Sequence, residues 1–324
     1  MDQAERDRYL GTIRSTPDRL KAVLAGVPRK LLTWRPAPGK WSIHEIVCHM
    51  RDAEREGYLY RYGRILGEDN PTLPDVDGDK LALERQYSRL NLREVLRDWR
   101  AARKEVLAVL KKVKPEQWQR IGTHEHLGPM SLETIGTHEH LGPMSLETIL
   151  QRQALGNDEA HLGQIENIKK RRETLAKLEE TPKTLASLFH GVPDEVLRRK
   201  PAPEKWSMLE IACHLRDVEQ LFVERYAKMA NHDRPALRMM NQDDLAAKLK
   251  YNEDDPTAVL REFKALRQET LALLSALAHQ SWQRVGLHPK RGEVTIAGHA
   301  DLHVNHDTNH LNQVRTLREP FGVT

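Results

Sequence analysis

Four histidines near the end of the chain could do metal chemistry: His299, His303, His306 and His310. Their spacing of i, i+4, i+7 and i+11 puts all four on one face of a helix, because an α-helix advances by about 100° per residue. Such a face is either a buried polar network or one wall of a metal site. Neutral imidazole is a common protein ligand for Zn²⁺ and Ni²⁺, and histidines one turn apart can share one ion.

Another histidine, His214, lies about two turns into a separate predicted helix. We predict that His214, His306 and His310 bind one metal ion. Three imidazoles from two helices leave a coordination position open, which is typical of catalytic rather than closed structural sites. His303 and Asp307 would then contact the ligating rings and fix their tautomers.

An internal repeat organises the chain. Residues 16–49 match residues 181–214 at a constant offset of 165, with about half of the positions identical, and the offset becomes 164 further along. We therefore predict two homologous modules, residues 1–170 and 171–324. The join between them is a charged helical run rather than a flexible linker.

The first module carries an incomplete copy of the metal site. His49 and His161 stand in the positions of the outer two ligands, but Asn157 replaces the middle histidine. On the spacing counted back from His161, Ala154 replaces His303. Because an amide oxygen is a poor ligand for a borderline ion, this second site is doubtful and we expect the first module to act as structural support.

A second repeat is an unchanged copy of fourteen residues: residues 121–134 recur as residues 135–148. Identity at every position indicates that this copy is much younger than the two modules. Gly136, Gly142 and Pro143 oppose a continuous helix and predict an extended loop. We interpret these histidines as residues of a flexible loop rather than as metal ligands: His124, His126, His138 and His140.

Both modules are predicted to be helical, without strands. Ser42 with Glu45, and Ser207 with Glu210, are capping-box patterns that begin helices of about 20 residues. These helices are expected to end near Gly67 and Asn231. The other predicted helices lie at Leu92–Lys112 and Pro256–Ala276, from about Ser145, from about Thr295, and around Pro17 and Pro182. Four principal helices in each module predict an all-α protein of two tandem four-helix bundles.

The composition excludes several classes of protein. No run approaches 18 apolar residues, so no membrane span is expected, and the charged N-terminus lacks the apolar core of a secretory signal. The net charge of +4 is spread over interspersed acidic and basic residues, which argues against a nucleic-acid partner. We therefore expect a cytoplasmic protein in which Cys48 and Cys213 are reduced, buried and inert. Trp41 and Trp206 are interpreted as core anchors.

The segments KWSIHEIVCHMRDAE, KWSMLEIACHLRDVE and HDTNHLNQV resemble the DinB-like family of metalloenzymes, and the resemblance covers nearly all of both modules. It implies four-helix bundles with an up-down-down-up course and a three-histidine site for Zn²⁺ or Ni²⁺. Because family members commonly dimerise, it also implies that the two modules form an internal pseudo-dimer. The family's ligands match His214, His306 and His310 and, in the first module, His49 and His161, whereas Asn157 departs from the pattern.

The resemblance further implies a small-molecule substrate, since relatives include transferases and isomerases that use low-molecular-weight thiols such as bacillithiol or mycothiol. Delivery of a thiolate is one predicted reaction, and hydrolysis by a metal-bound hydroxide is the other. Asp217, three residues after His214, is the predicted acid/base residue. Glu219 is expected on a solvated helix face. The alternative hypothesis is a non-catalytic scaffold protein in which the metal only links two helices.

Overall fold

The computed structural model of the 324-residue chain describes residues 1–125, 143–278 and 280–319. The chain divides into two compact units. The first unit comprises Met1–Arg35 and Gly39–Lys169, and the second comprises Pro36–Pro38 and Lys170–Thr324. Each unit is described below by itself.

The first unit is built on four long helical segments. A π-helical segment, Ala53–Leu59, joins α3 to α4, and a second one, Arg152–Glu159, joins α7 to α8. Short 3₁₀ turns occur at Tyr87–Arg89 and Pro115–Gln119. The α-helices are α1 (Gln3–Leu24), α2 (Arg29–Leu32), α3 (Ile43–Asp52), α4 (Tyr60–Gly67), α5 (Gly78–Glu84), α6 (Leu92–Leu110), α7 (Leu146–Gln151) and the beginning of α8 (Ala160–Phe189).

The second unit repeats this plan without π-helical segments among its described residues. Its 3₁₀ turns are Tyr251–Glu253 and Gln280–Gln283. After the remainder of α8, its helices are α9 (Asp194–Leu197), α10 (Met208–Asn231), α11 (Gln242–Lys248), α12 (Pro256–Ala276) and α13 (Ile296–Arg318). The prediction of a mainly helical protein with two four-helix bundles is confirmed.

The capping boxes fix where the second long helix of each unit begins. The backbone N–H of Glu45 donates to the Ser42 hydroxyl at 3.3 Å, and the Ser42 N–H donates to the Glu45 carboxylate at 2.9 Å. Ser207 and Glu210 repeat the exchange at 3.1 and 2.8 Å. Because two N–H groups that the helix leaves unpaired are satisfied in each case, the helix start is fixed seven residues before its histidine.

Five short strands among the residues that the structure describes contradict the expectation of a chain without strands. In the first unit β1 pairs with β2 in parallel and β2 pairs with β3 in antiparallel fashion, and in the second unit β4 and β5 form an antiparallel pair. Strands of two to four residues are too short to show an alternating pattern in the sequence. They are β1 (Thr72–Leu73), β2 (Ile121–His124), β3 (Pro143–Ser145), β4 (Val285–His288) and β5 (Gly292–Thr295).

The fourteen-residue copy lies within the hairpin of the first unit. Strand β2 comes from the first copy and β3 from the second, with Ile121 paired to Ser145. The second unit pairs Val285 with Thr295 at the same place in its hairpin. Ser145 caps α7 as predicted, and its hydroxyl accepts from the N–H of Thr148. Residues 126–142, with most of the predicted loop and three of its histidines, lie outside the described residues.

The two π-helical segments account for a difference in length between the units. Residues 49–71 are one residue longer than residues 214–235, although their ends match, and residues 145–161 are one residue longer than residues 295–310. Each longer stretch contains one π-helical segment. Because a π-turn holds one residue more than an α-turn, each extra residue is absorbed inside the helix.

The core of the second unit lies between its long helices and surrounds the helix turn that carries His214. Its fully buried members include Leu209, Cys213, Phe263 and Val314. Close packing of these side chains holds α10 and α12 together and fixes the orientation of the facing helix surfaces. Over the part of the chain that the structure describes, no helix is both long enough and apolar enough to cross a membrane.

Candidate metal centre

Three histidines from two helices of the second unit converge. His214 lies on α10, and His306 and His310 lie on α13. Three ring nitrogens, one from each histidine, lie within 4.8 Å of one another. The Nε2 atoms of His214 and His306 are 3.0 Å apart. The ring centroids are separated by 4.5 to 5.1 Å. The structure therefore brings together the three residues that the sequence analysis selected.

The protonation of these rings suits a divalent cation. Burial, followed by the neighbouring His310 and His306 rings, lowers the pKa of His214 to about 2. Burial, followed by His306, lowers the pKa of His310 to about 4. Both imidazoles are thus neutral near pH 7, and neutral imidazole has the lone pair that a metal requires. Two nitrogen atoms 3.0 Å apart must either share a proton or face one cation.

Two side chains orient the ligating rings. The Nδ1 of His310 lies 2.8 Å from the amide oxygen of Gln313, which can only accept, so Nδ1 carries the proton and Nε2 keeps its lone pair. The carboxylate of Asp307 lies 3.7 Å from Nδ1 of His306. An outer contact of this kind raises the basicity of a ligating imidazole. The donor set therefore fits Zn²⁺ or Ni²⁺.

A buried network stands behind Asp307. The Arg267 guanidinium lies 2.8 Å from Asp307 and 2.6 Å from Glu219, and all three side chains are at most 3% exposed. Glu219 is therefore not on a solvated helix face, and that expectation was wrong. Burial raises the pKa of Glu219, but His303 and Arg267 outweigh it and hold the pKa below its usual range. Glu219 lies about 140° around α10 from His214, and its contacts with Arg267 on α12 and His303 on α13 enclose it.

His303 belongs to this network. Its Nε2 lies 2.9 Å from the Glu219 carboxylate, and the hydroxyl of Tyr226 lies 3.3 Å from its Nδ1. The ring of Phe222 stacks on it with 3.6 Å between centroids. The hydrogen bonds described for His303 thus go to Glu219, Tyr226 and Arg267, and none goes to His214, His306 or His310. Asp307, in contrast, occupies the predicted place beside His306.

Asp217, the predicted acid/base residue, lies one turn beyond His214. One of its oxygens accepts from Arg216 at 2.8 Å and the other accepts from the hydroxyl of Tyr251. The first unit repeats both contacts: Asp52 accepts from its neighbouring arginine and from Tyr87. Because the same arrangement exists beside an incomplete site, these contacts have a structural purpose that is independent of the histidine triad.

The first unit brings together two histidines and an amide. The ring centroids of His49 and His161 are 5.0 Å apart, and His161 has the same glutamine contact as His310, at 3.1 Å from Gln164. Asn157 is 4% exposed, and its amide N–H donates to Asp158 at 3.3 Å. This unit therefore has two imidazole ligands where the second unit has three.

The π-helical segment changes which residue replaces His303. Gln153, not Ala154, takes that place: its amide donates to Glu54 at 3.0 Å and its oxygen accepts from Tyr62 at 2.9 Å. These contacts repeat those of His303 with Glu219 and Tyr226. The prediction of Ala154 counted residues back from His161 and did not allow for the extra residue in the π-helical segment. It was therefore wrong by one position.

Helix α5 closes over the first unit's histidine at Gly78. A Cβ atom there would lie 2.7 Å from Nδ1 of His49 and 2.8 Å from Cη2 of Trp41, which is closer than real Cβ contacts. Gln242 begins the corresponding helix α11 in the second unit. Only glycine therefore allows the helix to approach His49 so closely, and the two sites differ in what covers the second-helix histidine.

The tryptophans of the repeated KWS motif pack on histidines as well as on the core. Trp206 packs on His214 with centroids 4.8 Å apart, and Trp41 packs on His49 at 4.7 Å. The repeated KWS motif was the signal for this contact, but the sequence did not show which ring each tryptophan would meet. Cys48 is fully buried, and burial raises its pKa to about 12, so the expectation of an inert thiol fits its surroundings.

The chain is similar in sequence to a known protein family. The family model of the DinB superfamily matches residues 12–165 and 177–314. The protein YuaE of Bacillus subtilis (strain 168), described as uncharacterized, is 25% identical over 142 residues, which cover 40% of this chain and 87% of YuaE. A solved structure from Bacillus subtilis, YfiT, is entitled a "probable metal-dependent hydrolase with an unusual four-helix bundle topology". It is 22% identical with a TM-score of 0.45, covering 48% of this chain and 89% of YfiT. Because the family model covers most of both halves, the chain belongs to the DinB superfamily.

Proposed function

We propose that the second module, residues 171–324, is a divalent-metal-dependent enzyme that acts on a small molecule in the cytoplasm. His214, His306 and His310 would hold Zn²⁺ or Ni²⁺. The observation that carries this proposal is the 3.0 Å approach of the Nε2 atoms of His214 and His306, with the third imidazole against both rings. The first module, residues 1–170, is proposed as a domain that keeps the fold without this function.

The exposure of the three rings leaves room for a substrate. His214 is 1% exposed, whereas His306 and His310 are only partly buried. When bound to such a site, a divalent ion lowers the pKa of a thiol or water and so supplies a nucleophile near neutral pH. The contribution of the chain is to keep His214 and His310 neutral, to fix the tautomer of His310 through Gln313 and to place the Asp307 carboxylate beside His306.

Thiol transfer is the reaction we favour, with a low-molecular-weight thiol as one substrate, and hydrolysis is the alternative. A soft thiolate suits a borderline ion held by imidazoles. An assay with and without added thiol separates the two reactions, because transfer requires a thiol for turnover and hydrolysis does not. Activity that persists without any thiol would reject transfer and support hydrolysis.

Asp217 stays a prediction as the acid/base residue, and the first unit supplies its control. Asp217→Asn and Asp52→Asn remove the same arginine and tyrosine contacts and should lower stability to a similar extent. A catalytic Asp217 would make only the first variant inactive while its metal content is kept. If both variants keep full activity, the aspartate is structural.

The experiment that tests the metal site is metal analysis of the purified protein beside two matched variants. His310→Ala removes one ligand of the second unit, and His161→Ala removes its counterpart in the first unit. We expect about one equivalent of Zn²⁺ or Ni²⁺ in the parent protein and in His161→Ala, and almost none in His310→Ala. Metal that is absent from the parent, or retained in His310→Ala, would reject the site.

A second candidate function is a scaffold in which the metal links α10 to α13. The ligands do come from these two helices, which supports a structural contribution. Chelation separates the candidates. A catalytic ion can be removed with a small change in the melting temperature and loss of turnover, whereas removal of a structural ion unfolds the second unit.

A further inference from the structure

A groove of about 630 Å³ lies between α1 and the end of α6 in the first unit. The residues of α1 that line it are three or four positions apart, from Gln3 to Arg14, and this face extends about 16 Å along the helix axis. Much of the lining is apolar and includes Leu10, Leu107, Leu110, Val113 and Trp118. A groove of this volume has room for a small molecule.

The charged residues that line the groove are cations: Arg6, Arg14 and Lys111, with no acid among the described lining residues. The buried carboxylate of Glu147 neutralises the Arg6 guanidinium. Arg14 and Lys111 are exposed, and within the described part of the chain neither forms an ion pair. The groove thus combines an apolar lining with two positive charges that no carboxylate compensates.

One feature of the groove, an arginine stacked on a tryptophan, is common to both units. The guanidinium of Arg6 lies 4.8 Å from the ring centroid of Trp118, and that of Arg171 lies 4.7 Å from the ring centroid of Trp282. This stacked pair is therefore part of the fold.

The two exposed cations, in contrast, are particular to the first unit. By the offsets of the repeat, Glu179 stands in the place of Arg14, and Ser275 stands in the place of Lys111. One positive charge is thus reversed and the other is removed in a unit that keeps the same helices. The fold therefore does not require a positive charge at either position.

The units also differ in how the stacked arginine meets the neighbouring helix end. Arg171 donates at 2.9 to 3.1 Å to three carbonyl oxygens at the end of α12, those of Leu274, Ser275 and Leu277. The side-chain hydrogen bonds described for Arg6 go to Gln3 and Glu147, and none goes to a carbonyl of α6. Counted from the helix N-caps, Ala297 replaces Glu147 in the second unit. The acid that binds Arg6 is thus particular to the first unit, where this guanidinium leaves the end of α6 uncovered.

We propose that this groove binds a small amphipathic anion, which is a single alkyl chain with an anionic head group. The head group would contact Arg14 and Lys111, and the chain would pack along the apolar lining. Charge complementarity selects the sign of the head group, because the groove offers positive charge and no acid. Removal of the chain from water supplies the rest of the affinity. The site lies in the first unit and does not depend on the metal site of the second unit.

Titration calorimetry of the full chain with decanoate, below its micelle concentration, tests the site. Decanol and decyltrimethylammonium are the matched probes, because they carry the same chain with a neutral and a positive head group. We expect one decanoate to bind per chain, about tenfold more tightly than decyltrimethylammonium, as for two exposed ion pairs. His310→Ala should bind decanoate equally well, which separates this site from binding of a carboxylate at the histidine triad.

Matched variants locate the head group. Arg14→Glu combined with Lys111→Ser gives the groove the residues of the second unit, so the fold should tolerate both changes. We expect the affinity for decanoate to fall about tenfold and its preference over decyltrimethylammonium to disappear. Arg93→Ser removes an exposed cation of the same helix about 27 Å away, beyond the screening length of salt, and should have no effect. Unchanged affinity in the double variant would overturn the assignment of the head group.

A further variant locates the chain. Ala108 is an exposed residue that lines the groove, so Ala108→Trp should fill the groove and abolish the binding of decanoate and decanol alike, while the melting temperature is kept. The proposal is overturned if decanoate does not bind, if its binding survives in Ala108→Trp, or if the two charged probes bind equally. Sedimentation with vesicles of phosphatidylglycerol and phosphatidylcholine, without one-to-one binding of decanoate, would assign this surface to a membrane and overturn the proposal as well.

Discussion

In both units a buried arginine joins two carboxylates behind the site: Arg103 joins Glu54 to Asp158, and Arg267 joins Glu219 to Asp307. Each arginine also donates to a backbone carbonyl of its first helix at 2.6 Å. Only the second unit places three histidines in front of this network. The network is thus part of the fold, and the histidine triad is an addition that the fold can lose.

The histidines that differ between the two sites lie on one helix, and a further difference lies in the covering helix, at Gly78 and Gln242. The second-helix histidine, its tryptophan and the outer fourth-helix histidine are present in both units. Three positions of the fourth helix change, from His299, His303 and His306 to an isoleucine, a glutamine and an asparagine. Since the retained residues also pack against the core, the comparison teaches that packing can keep some residues of this cluster where the histidine between them is absent.

The largest expected effect is the gain of a whole site by Asn157→His. The ring centroids of His49 and His161 are 5.0 Å apart, close to the 4.7 Å between the ring centroids of their counterparts in the second unit. Gln164 already orients the His161 ring. We expect metal analysis to rise from about one to about two equivalents per chain.

The reciprocal variant is the control for this prediction. His306→Asn gives the second unit the first unit's residue and should leave almost no metal. If Asn157→His still binds about one equivalent, then the covering helix around Gly78, rather than the missing ligand, prevents binding in the first unit.

Removal of either buried arginine is expected to destabilise the unit that contains it. Arg267→Met leaves Glu219 and Asp307 buried without an opposite charge, at a cost of about 3–5 kcal/mol, and Arg103→Met should cost as much in the first unit. Urea unfolding measures both. Only Arg267→Met should also release the metal, because Asp307 lies beside His306. Equal metal content in the two variants would contradict this difference.

An effect of intermediate size is the loss of folding stability at low pH. The pKa of His299 is about 3 in the folded protein and near 6.5 when unfolded. The unfolded chain therefore takes up a proton first as the pH falls below 6.5, and stability is lost between pH 6.5 and 3. At pH 5 the loss from this residue is about 2 kcal/mol. In metal-free protein, His299→Ile should remove this loss of stability. If the free energy of unfolding in urea falls between pH 7 and pH 5 by the same amount in the variant as in the parent protein, protonation of His299 is not its cause.

The smallest effect is expected from deletion of residues 135–148. The deletion keeps β2, and Pro129–Ser131 of the first copy has the same sequence as β3, so the hairpin can close through a shorter loop. A shorter loop costs less entropy to close, which should stabilise the first unit by about 1 kcal/mol with no change in metal content. Loss of metal in this variant would show that the copied segment contributes to the site.

Much of the fold could be predicted because its signals are local. The capping boxes and the predicted helix ends at Gly67 and Asn231 are confirmed, and the periodicity at Pro256–Ala276 matches α12. The grouping of the histidines followed from two helix faces and one repeat. The five strands could not be predicted, because segments this short form only where the neighbouring chain supplies hydrogen-bond partners.

Residue partners across the bundle were harder to predict than positions along a helix. Glu219 has the spacing of a half-exposed residue, and only the approach of Arg267 from α12 and His303 from α13 makes it buried and ionised. Likewise, the sequence offered no sign that His299 would be buried without a hydrogen-bond partner for either ring nitrogen. Tertiary contacts of this kind depend on how helices pack, which periodicity alone does not determine.

The two π-helical segments have a consequence for how a site is repaired or lost. The π-helical segment of the fourth helix holds one extra residue, yet Gln153 near its beginning keeps the contacts of His303 and Asp158 near its end keeps the contact of Asp307. A single codon insertion at this point therefore lengthens the helix without separating the two halves of its polar face. Restoration of that face in the first unit accordingly needs substitutions alone, and point mutagenesis can sample them one at a time.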